Sequence, residues 1–255
     1  MQLFHKEYLG PGKPFLILHG LFGMLDNWHN VARKFAANHH VYLLDLRNHG
    51  QSPHSDAINY PLMADDLWEF MKEQNIPQAY ILGHSMGGKV AMEFALKYPE
   101  KCLKLIVVDI APVKYKPGHN DIFKALFALD IDDAQKTRKN LDEDMSPLIP
   151  EFGIRQFLLK SLERKEEGGY EWKFNLKAIH SQYDEILAGI EGKRSYDGPT
   201  LFIRGANSPY VQDRALPEIQ ELFPNYQLET IEGAGHWVHA EKPVELIELV
   251  RMHLT

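Results

Sequence analysis

Ile81-Leu82-Gly83-His84-Ser85-Met86-Gly87-Gly88-Lys89-Val90 decides how the rest of the chain is read. An apolar run, Ala79 to Leu82, enters it, and Val90, Ala91, Phe94 and Ala95 leave it at helical spacing. The pattern predicts a strand, a tight turn and a helix, with Ser85 at the bend. Glycines at 83 and 87 flank the serine, as a sharp turn requires if strand and helix are to approach without side-chain collision. Such a turn lifts the Ser85 hydroxyl clear of the sheet and aims the Met86 N–H at whatever the hydroxyl attacks. That is a nucleophile elbow. The same residues also fit most of a phosphate-binding loop, G-x-x-x-x-G-K, with Leu105 to Asp109 as a strand ending in a magnesium-binding aspartate. The match breaks at Val90, where a nucleotide site needs a Ser or Thr hydroxyl. A plain glycine-rich connection is the third reading, and a partner histidine elsewhere separates it from the first.

Upstream, residues 2 to 8 can form an edge strand, and Gly10-Pro11-Gly12 turns the chain into Pro14-Phe15-Leu16-Ile17-Leu18, a continuous apolar run typical of a buried parallel strand. It ends in His19-Gly20-Leu21-Phe22-Gly23. A glycine-bearing loop at the carboxyl end of a central strand is where an open α/β sheet places its ligand groups, so the Leu21 N–H is the expected second oxyanion donor beside Met86. His19 reads as a residue that holds this loop. A helix from about Asn27 to Ala37 leads to the strand Val41 to Asp45 and a polar loop through Pro53. His39-His40 has no Cys, Asp or Glu at ligand spacing and reads as solvated surface rather than a metal site. Met63, Leu67, Phe70 and Met71 form one apolar helical stripe that belongs to the core.

Downstream, Leu103 to Asp109 is the next buried strand, left abruptly by Ile110-Ala111-Pro112. The alternation of strand and helix is then lost to about Tyr196, with helical patterns at 120–129, 132–141 and 152–162 and a short hairpin strand at Trp172-Lys173-Phe174. The expected organisation is therefore a core of residues 1–112 and 196–255 with 113–195 inserted as a helical lid. Phe123, Leu126, Phe127, Phe157 and Leu158 would give that lid apolar faces. The alternation resumes at Gly198 to Gly205, followed by a helix to about Phe223 and a strand ending near Ile231; Pro243 opens the last helix. Between them, Glu232-Gly233-Ala234-Gly235-His236-Trp237-Val238 places His236 in a glycine-rich loop after the last strand. This is the partner histidine.

Composition narrows the function. With 255 residues, 44% hydrophobic and 25% charged, the chain can bury a full core and suits one large α/β domain carrying an insertion. A net charge of -7 argues against nucleic acid or an anionic membrane as the main partner, which leaves a small-molecule substrate. Cys102, the single cysteine, has no disulfide partner and reads as a small filler. The first residues lack the pattern of a secretory signal and no apolar run approaches a membrane span, so a cytoplasmic protein is expected.

Elbow, donor loop and late histidine together resemble the α/β-hydrolase superfamily over essentially the whole length, in its chain order of nucleophile, acid and histidine. More narrowly, His19 to Gly23, Asp45-Leu46-Arg47-Asn48-His49-Gly50, Gly83 to Lys89, Asp109-Ile110-Ala111-Pro112-Val113, Asn207-Ser208-Pro209-Tyr210-Val211 and Gly233 to Pro243 resemble the YbfF-type bacterial esterases and their mitochondrial hydrolase relatives. The resemblance implies an esterase or thioesterase with no cofactor and no metal, acting on short acyl esters and acyl-CoA thioesters. Within those runs Phe22, Ile110, Tyr210 and Trp237 are expected to line the substrate pocket. A menaquinone-pathway-type lyase shares a similar elbow and lid, and a non-catalytic ligand receptor would retain the pocket. A haloalkane dehalogenase needs a carboxylate where this chain has Ser85.

The acid departs from the commonest superfamily pattern, which sets Asp or Glu after the strand that follows the lid, in a G-x-x-D run. Here that run is Gly205-Ala206-Asn207-Ser208, with serine in the acid's place. Asp213 lies nearby, on the start of the following helix. Asp109, at the end of the strand after the elbow helix, is the preferred acid, because a carboxylate must be buried beside the histidine to hold its tautomer; the resemblance points to the same position.

Overall fold

The structure, a computed structural model, describes residues 1–192 and 194–255. Seven strands make the main sheet: β1 (His5–Tyr8), β2 (Pro14–Leu18), β3 (His40–Leu44), β4 (Ala79–His84), β5 (Cys102–Val108), β8 (Thr200–Gly205) and β9 (Tyr226–Ile231). Their spatial order is β1-β3-β2-β4-β5-β8-β9, and only the edge strand β1 runs antiparallel to its neighbour. The remaining strands, β6 (Leu162–Arg164) and β7 (Tyr170–Trp172), form a separate antiparallel hairpin. A sheet buried on both faces explains the unbroken apolar runs. Leu16 and Leu18 of β2, with Leu105 and Val107 of β5, point into one core layer; Phe15, Ile17, Ile106 and Val108 point into the other.

Helices cover both faces. α1 (His29–Phe35) and α11 (Pro243–Leu254) close one layer, through Phe35, Leu246 and Val250. On the other side α2 (Tyr60–Glu73) is capped by the Asn59 side chain, which accepts the Leu62 N–H at 2.9 Å, and buries Met63, Leu67, Phe70 and Met71. It packs beside α3 (Met86–Lys97), the helix that leaves the elbow. Between β5 and β8 lie α4 (Asn120–Ala128), α5 (Arg138–Met145), α6 (Phe152–Leu159), α7 (Leu176–Ser181) and α8 (Tyr183–Leu187); the last helices, α9 (Leu216–Leu222) and α10 (Val238–Glu241), belong to the core half.

Three expectations are corrected. The helix expected at 132–141 starts only at Arg138, because Thr137 and Asn140 form a reciprocal cap that fixes its first turn there. Asp213, expected on the start of the helix that runs to about Phe223, lies instead in a tight turn over Asp213–Ala215, and the helix begins at Leu216 with Pro217 in its first turn. His39 and His40 are half-buried rather than solvated: the His39 ring packs edge-on against Phe15, Phe35 and Tyr80, and His40 stacks on Tyr42 and meets Glu7. Of the apolar residues between β5 and β8, Phe123, Leu126 and Leu158 are buried, while Phe127 stays 49% exposed.

The close approach of β4 to α3 tests the elbow reading directly. A Cβ at Gly83 would sit 2.1 Å from the Gly87 carbonyl oxygen, and one at Gly87 would sit 2.5 Å from that of His19. Both obstacles are backbone. We expect Gly83→Ala and Gly87→Ala each to destabilise the fold by about 2 kcal/mol or more, read as a lower urea midpoint at unchanged slope. Gly153→Ala, with nothing within 4 Å, serves as the control. Equal midpoints for all of them would mean that the elbow can relax.

Candidate active site

Ser85 occupies the bend with φ 52° and ψ -121°, a strained conformation for a side chain other than glycine. The strain is held by the strand before it and the helix after it: Ser85 N–H donates to the Val108 carbonyl at 3.0 Å, and Lys89 N–H to the Ser85 carbonyl at 3.1 Å. The hydroxyl is left half-exposed at the carboxyl end of β4. His236, on the loop after β9, brings Nε2 to 3.0 Å from Ser85 Oγ and Nδ1 to 2.7 Å from Asp109 Oδ2. Asp109 accepts, so Nδ1 carries the proton and Nε2 is free to take the one on Ser85.

Asp109 is completely buried and itself sits at positive φ, 52°. β5 and β8 are parallel neighbours with Val108 opposite Ile203, so the residue leaving β5 faces the loop leaving β8. There Gly205 N–H donates to Asp109 Oδ1 at 3.0 Å, and the Ser208 hydroxyl donates to Oδ2. The serine in the position where the commonest pattern sets an acid thus holds the Asp109 carboxylate that comes from the other strand. Asp213 goes elsewhere: it is 81% exposed and paired with Arg204.

Several contacts that hold His236 escape sequence reasoning. Glu241 accepts the N–H groups on either side of it, Gly235 at 2.7 Å and Trp237 at 3.1 Å. His84, next to the serine, donates from Nε2 to the His236 carbonyl at 2.8 Å, and burial, reinforced by the nearby His236 and His239, keeps His84 well below its ordinary pKa and so neutral. Tyr210 stacks on the His236 ring at 4.1 Å. No periodicity marks these residues; the tight spacing Gly235-His236-Trp237 to Glu241, on a loop entering a helix, is the one signal a reader could have used.

The donor loop is built the same way. His19 is buried, donates to the Gly20 carbonyl at 2.8 Å and accepts the Leu46 N–H at 3.0 Å, as a loop-holding residue should. His49, pushed by burial to about 3 and hence neutral, donates from Nδ1 to the Arg47 carbonyl at 2.9 Å and accepts the Phe22 N–H at 3.2 Å. That consumes the Phe22 amide. The Leu21 N–H makes no hydrogen bond to any other described residue, and Leu21 and Met86 line the same cavity as Ser85. The cavity is about 620 Å³, in the range of small-molecule sites. Phe22, Ile110, Tyr210 and Trp237 all line it, and Val113, Ile122, Phe157 and Tyr183 join them from the segment between β5 and β8.

A family model described as "alpha/beta hydrolase fold" matches residues 13–243. The chain belongs to the α/β-hydrolase family. It is 42% identical to "Esterase YbfF" of Escherichia coli (strain K12) over 94% of this chain and 92% of that one. It is 40% identical to "sn-1-specific diacylglycerol lipase ABHD11" of Mus musculus over 94% of this chain and 80% of the relative. Among solved structures, "Marine microorganism esterase" superposes with a TM-score of 0.96 at 44% identity, covering 99% of both chains. The chain is therefore an esterase- and lipase-type member of the family. Among the described residues no helix is long and apolar enough to cross a membrane, and no group of three or more His, Cys, Asp or Glu side chains could hold a metal ion.

Proposed function

We propose that the protein cleaves carboxylic esters or acyl thioesters of small acyl substrates through an acyl-serine intermediate. The observation that carries this reading is the continuous chain from Ser85 Oγ through His236 to the buried Asp109, opening on a largely apolar cavity. Ser85 attacks the acyl carbonyl while His236 takes its proton and then delivers it to the leaving alkoxide or thiolate; water repeats the attack on the acyl-serine. Leu21 and Met86 N–H groups stabilise the tetrahedral oxyanion, and losing one such donor typically costs about a hundredfold or more in turnover. Residues 113–195 act as the lid. The phosphate-loop alternative has little left to stand on, since the Lys89 ammonium is engaged by carbonyls instead of facing a phosphate.

The direct test is incubation with a fluorophosphonate followed by intact mass and peptide mapping, with acyl esters and acyl-CoA thioesters assayed in parallel. A single adduct on Ser85 with ester turnover is expected; no adduct and no turnover would favour a ligand receptor. The cavity makes a second prediction. A medium acyl chain should raise kcat/KM over acetyl, because each methylene buried against Phe157, Tyr183 and Ile122 contributes up to about 0.8 kcal/mol. A flat or falling profile from acetyl to octanoyl would place the acyl chain outside this cavity.

A further inference from the structure

Lys89 stands one helical turn beyond Ser85 on α3, is 1% exposed, and has no part in the acyl-transfer steps. Its ammonium donates to the Val113 carbonyl at 2.9 Å and to the Ala188 carbonyl, with the Leu187 carbonyl at 3.5 Å. Val113 is where the chain leaves the core after β5; Leu187 and Ala188 are the carboxyl end of α8, where the inserted segment turns back. The ammonium therefore caps a helix carboxyl terminus and joins the outgoing stem to the returning one. Aromatic faces complete its surroundings, with Nζ 4.8 Å from the Tyr115 ring centroid and 5.4 Å from that of Tyr60.

The stems also meet without it. Tyr115 N–H donates to the Leu187 carbonyl at 2.9 Å and Ile190 N–H to that of Pro112 at 2.7 Å, while the Tyr60 hydroxyl of α2 donates to the Ile186 carbonyl at 2.5 Å and holds the returning stem to that helix. None of these contacts reaches α3; among the described residues, the hydrogen bonds that tie the stem junction to the helix carrying the nucleophile are those of Lys89. A buried cation is a costly fastener, and burial pushes the ammonium down to about 7; the three carbonyls are the acceptors that face it. Tyr115, Ile186 and Leu187 also line the cavity, so the junction is part of the wall against which a substrate packs.

We propose that Lys89 is a positioning residue that fixes both stems of the inserted segment relative to Ser85 and thereby sets which acyl chains the cavity accepts. The inference rests on the ester-hydrolase reading of the same site. It is tested with Lys89→Met, which keeps the stem and removes the charged donor, alongside Lys89→Gln and Lys89→Arg. The readouts are kcat and KM on p-nitrophenyl acetate and hexanoate and amide hydrogen exchange over the stems and over α3.

In Lys89→Met the hexanoate-to-acetate ratio of kcat/KM should change by about tenfold or more, mainly through KM, with faster exchange at 112–116 and 186–190 and unchanged exchange in α3. Lys89→Arg should move the ratio back toward the wild type, and Lys89→Gln should fall between. A wild-type ratio with wild-type exchange at the stems overturns the proposal. So does an equal loss on both esters accompanied by faster exchange throughout, which would mark a purely structural lysine. A wild-type protein that takes no fluorophosphonate and cleaves neither ester overturns the hydrolase reading instead, and stem exchange in Lys89→Met still decides whether the clip exists.

Discussion

Ser85→Ala and His236→Ala should each lower ester turnover by about 10⁵-fold or more, and the double mutant should be hardly worse than either. The reason is geometric. Ser85 Oγ lies 3.0 Å from His236 Nε2, and in the proposed mechanism it loses its proton only in the step in which it attacks, so removing either partner would abolish the same event. What survives is the oxyanion pocket and substrate binding, which both single variants and the double variant retain. Ser85→Ala leaves no charge behind, whereas His236→Ala takes one donor from the buried Asp109 carboxylate, which keeps the Gly205 N–H and the Ser208 hydroxyl. All three proteins should therefore stay folded, with any fall in melting temperature confined to the two that lack His236. The check is single-turnover ester hydrolysis with matched circular dichroism. Multiplying losses would mean that serine and histidine serve separate steps, and a double mutant retaining burst kinetics would move the nucleophile elsewhere.

How much of this was legible in the sequence differs from element to element, for physical reasons. Parallel strands buried on both faces must be apolar throughout, so β2, β4 and β5 announce themselves as runs, and the elbow glycines are required by backbone contacts that leave no room for a side chain. Ser85, His236 and the Leu21 turn were therefore readable from spacing and loop chemistry. Asp109 against Asp213 was not readable from spacing, because the choice depends on which strand lies beside which. Once β8 is the neighbour of β5, the end of one faces the loop of the other, and the Ser208 hydroxyl fills the place a carboxylate would need. Glu241, His84 and Lys89 hold backbone groups rather than side chains. Such contacts leave no pattern in the residues they touch, since every residue has a carbonyl and nearly every one an N–H. The half-burial of His39 has a related cause: the Phe15 ring of β2 and the Tyr80 ring of β4 reach it from distant parts of the chain and join that of the nearby Phe35.

Asp109→Asn should reduce turnover by about 10³- to 10⁴-fold while the fold is kept, and Asp213→Asn should leave it unchanged within about twofold. The size of the first effect follows from the donors around the carboxylate. Gly205 N–H reaches Oδ1, while Ser208 Oγ and His236 Nδ1 both reach Oδ2. An asparagine has one acceptor and one donor end. Gly205 has only its N–H to offer, so the amide oxygen must face it, which turns the NH₂ toward Ser208 and His236. The serine hydroxyl can rotate to accept, and the histidine can comply only by giving up its Nδ1 proton and carrying one on Nε2. In that tautomer Nε2 cannot take the proton from Ser85, and the nucleophile stays neutral. Ser208→Ala removes one donor to the carboxylate without inverting the tautomer, so it should cost far less, about tenfold to a hundredfold. The ranking Asp109→Asn, then Ser208→Ala, then Asp213→Asn, measured as kcat on one ester with each variant shown folded, is the expected result. An Asp109→Asn variant as active as Ser208→Ala would show that the imidazole keeps its working tautomer without the carboxylate, and an inactive Asp213→Asn would move the acid to the other side of β8.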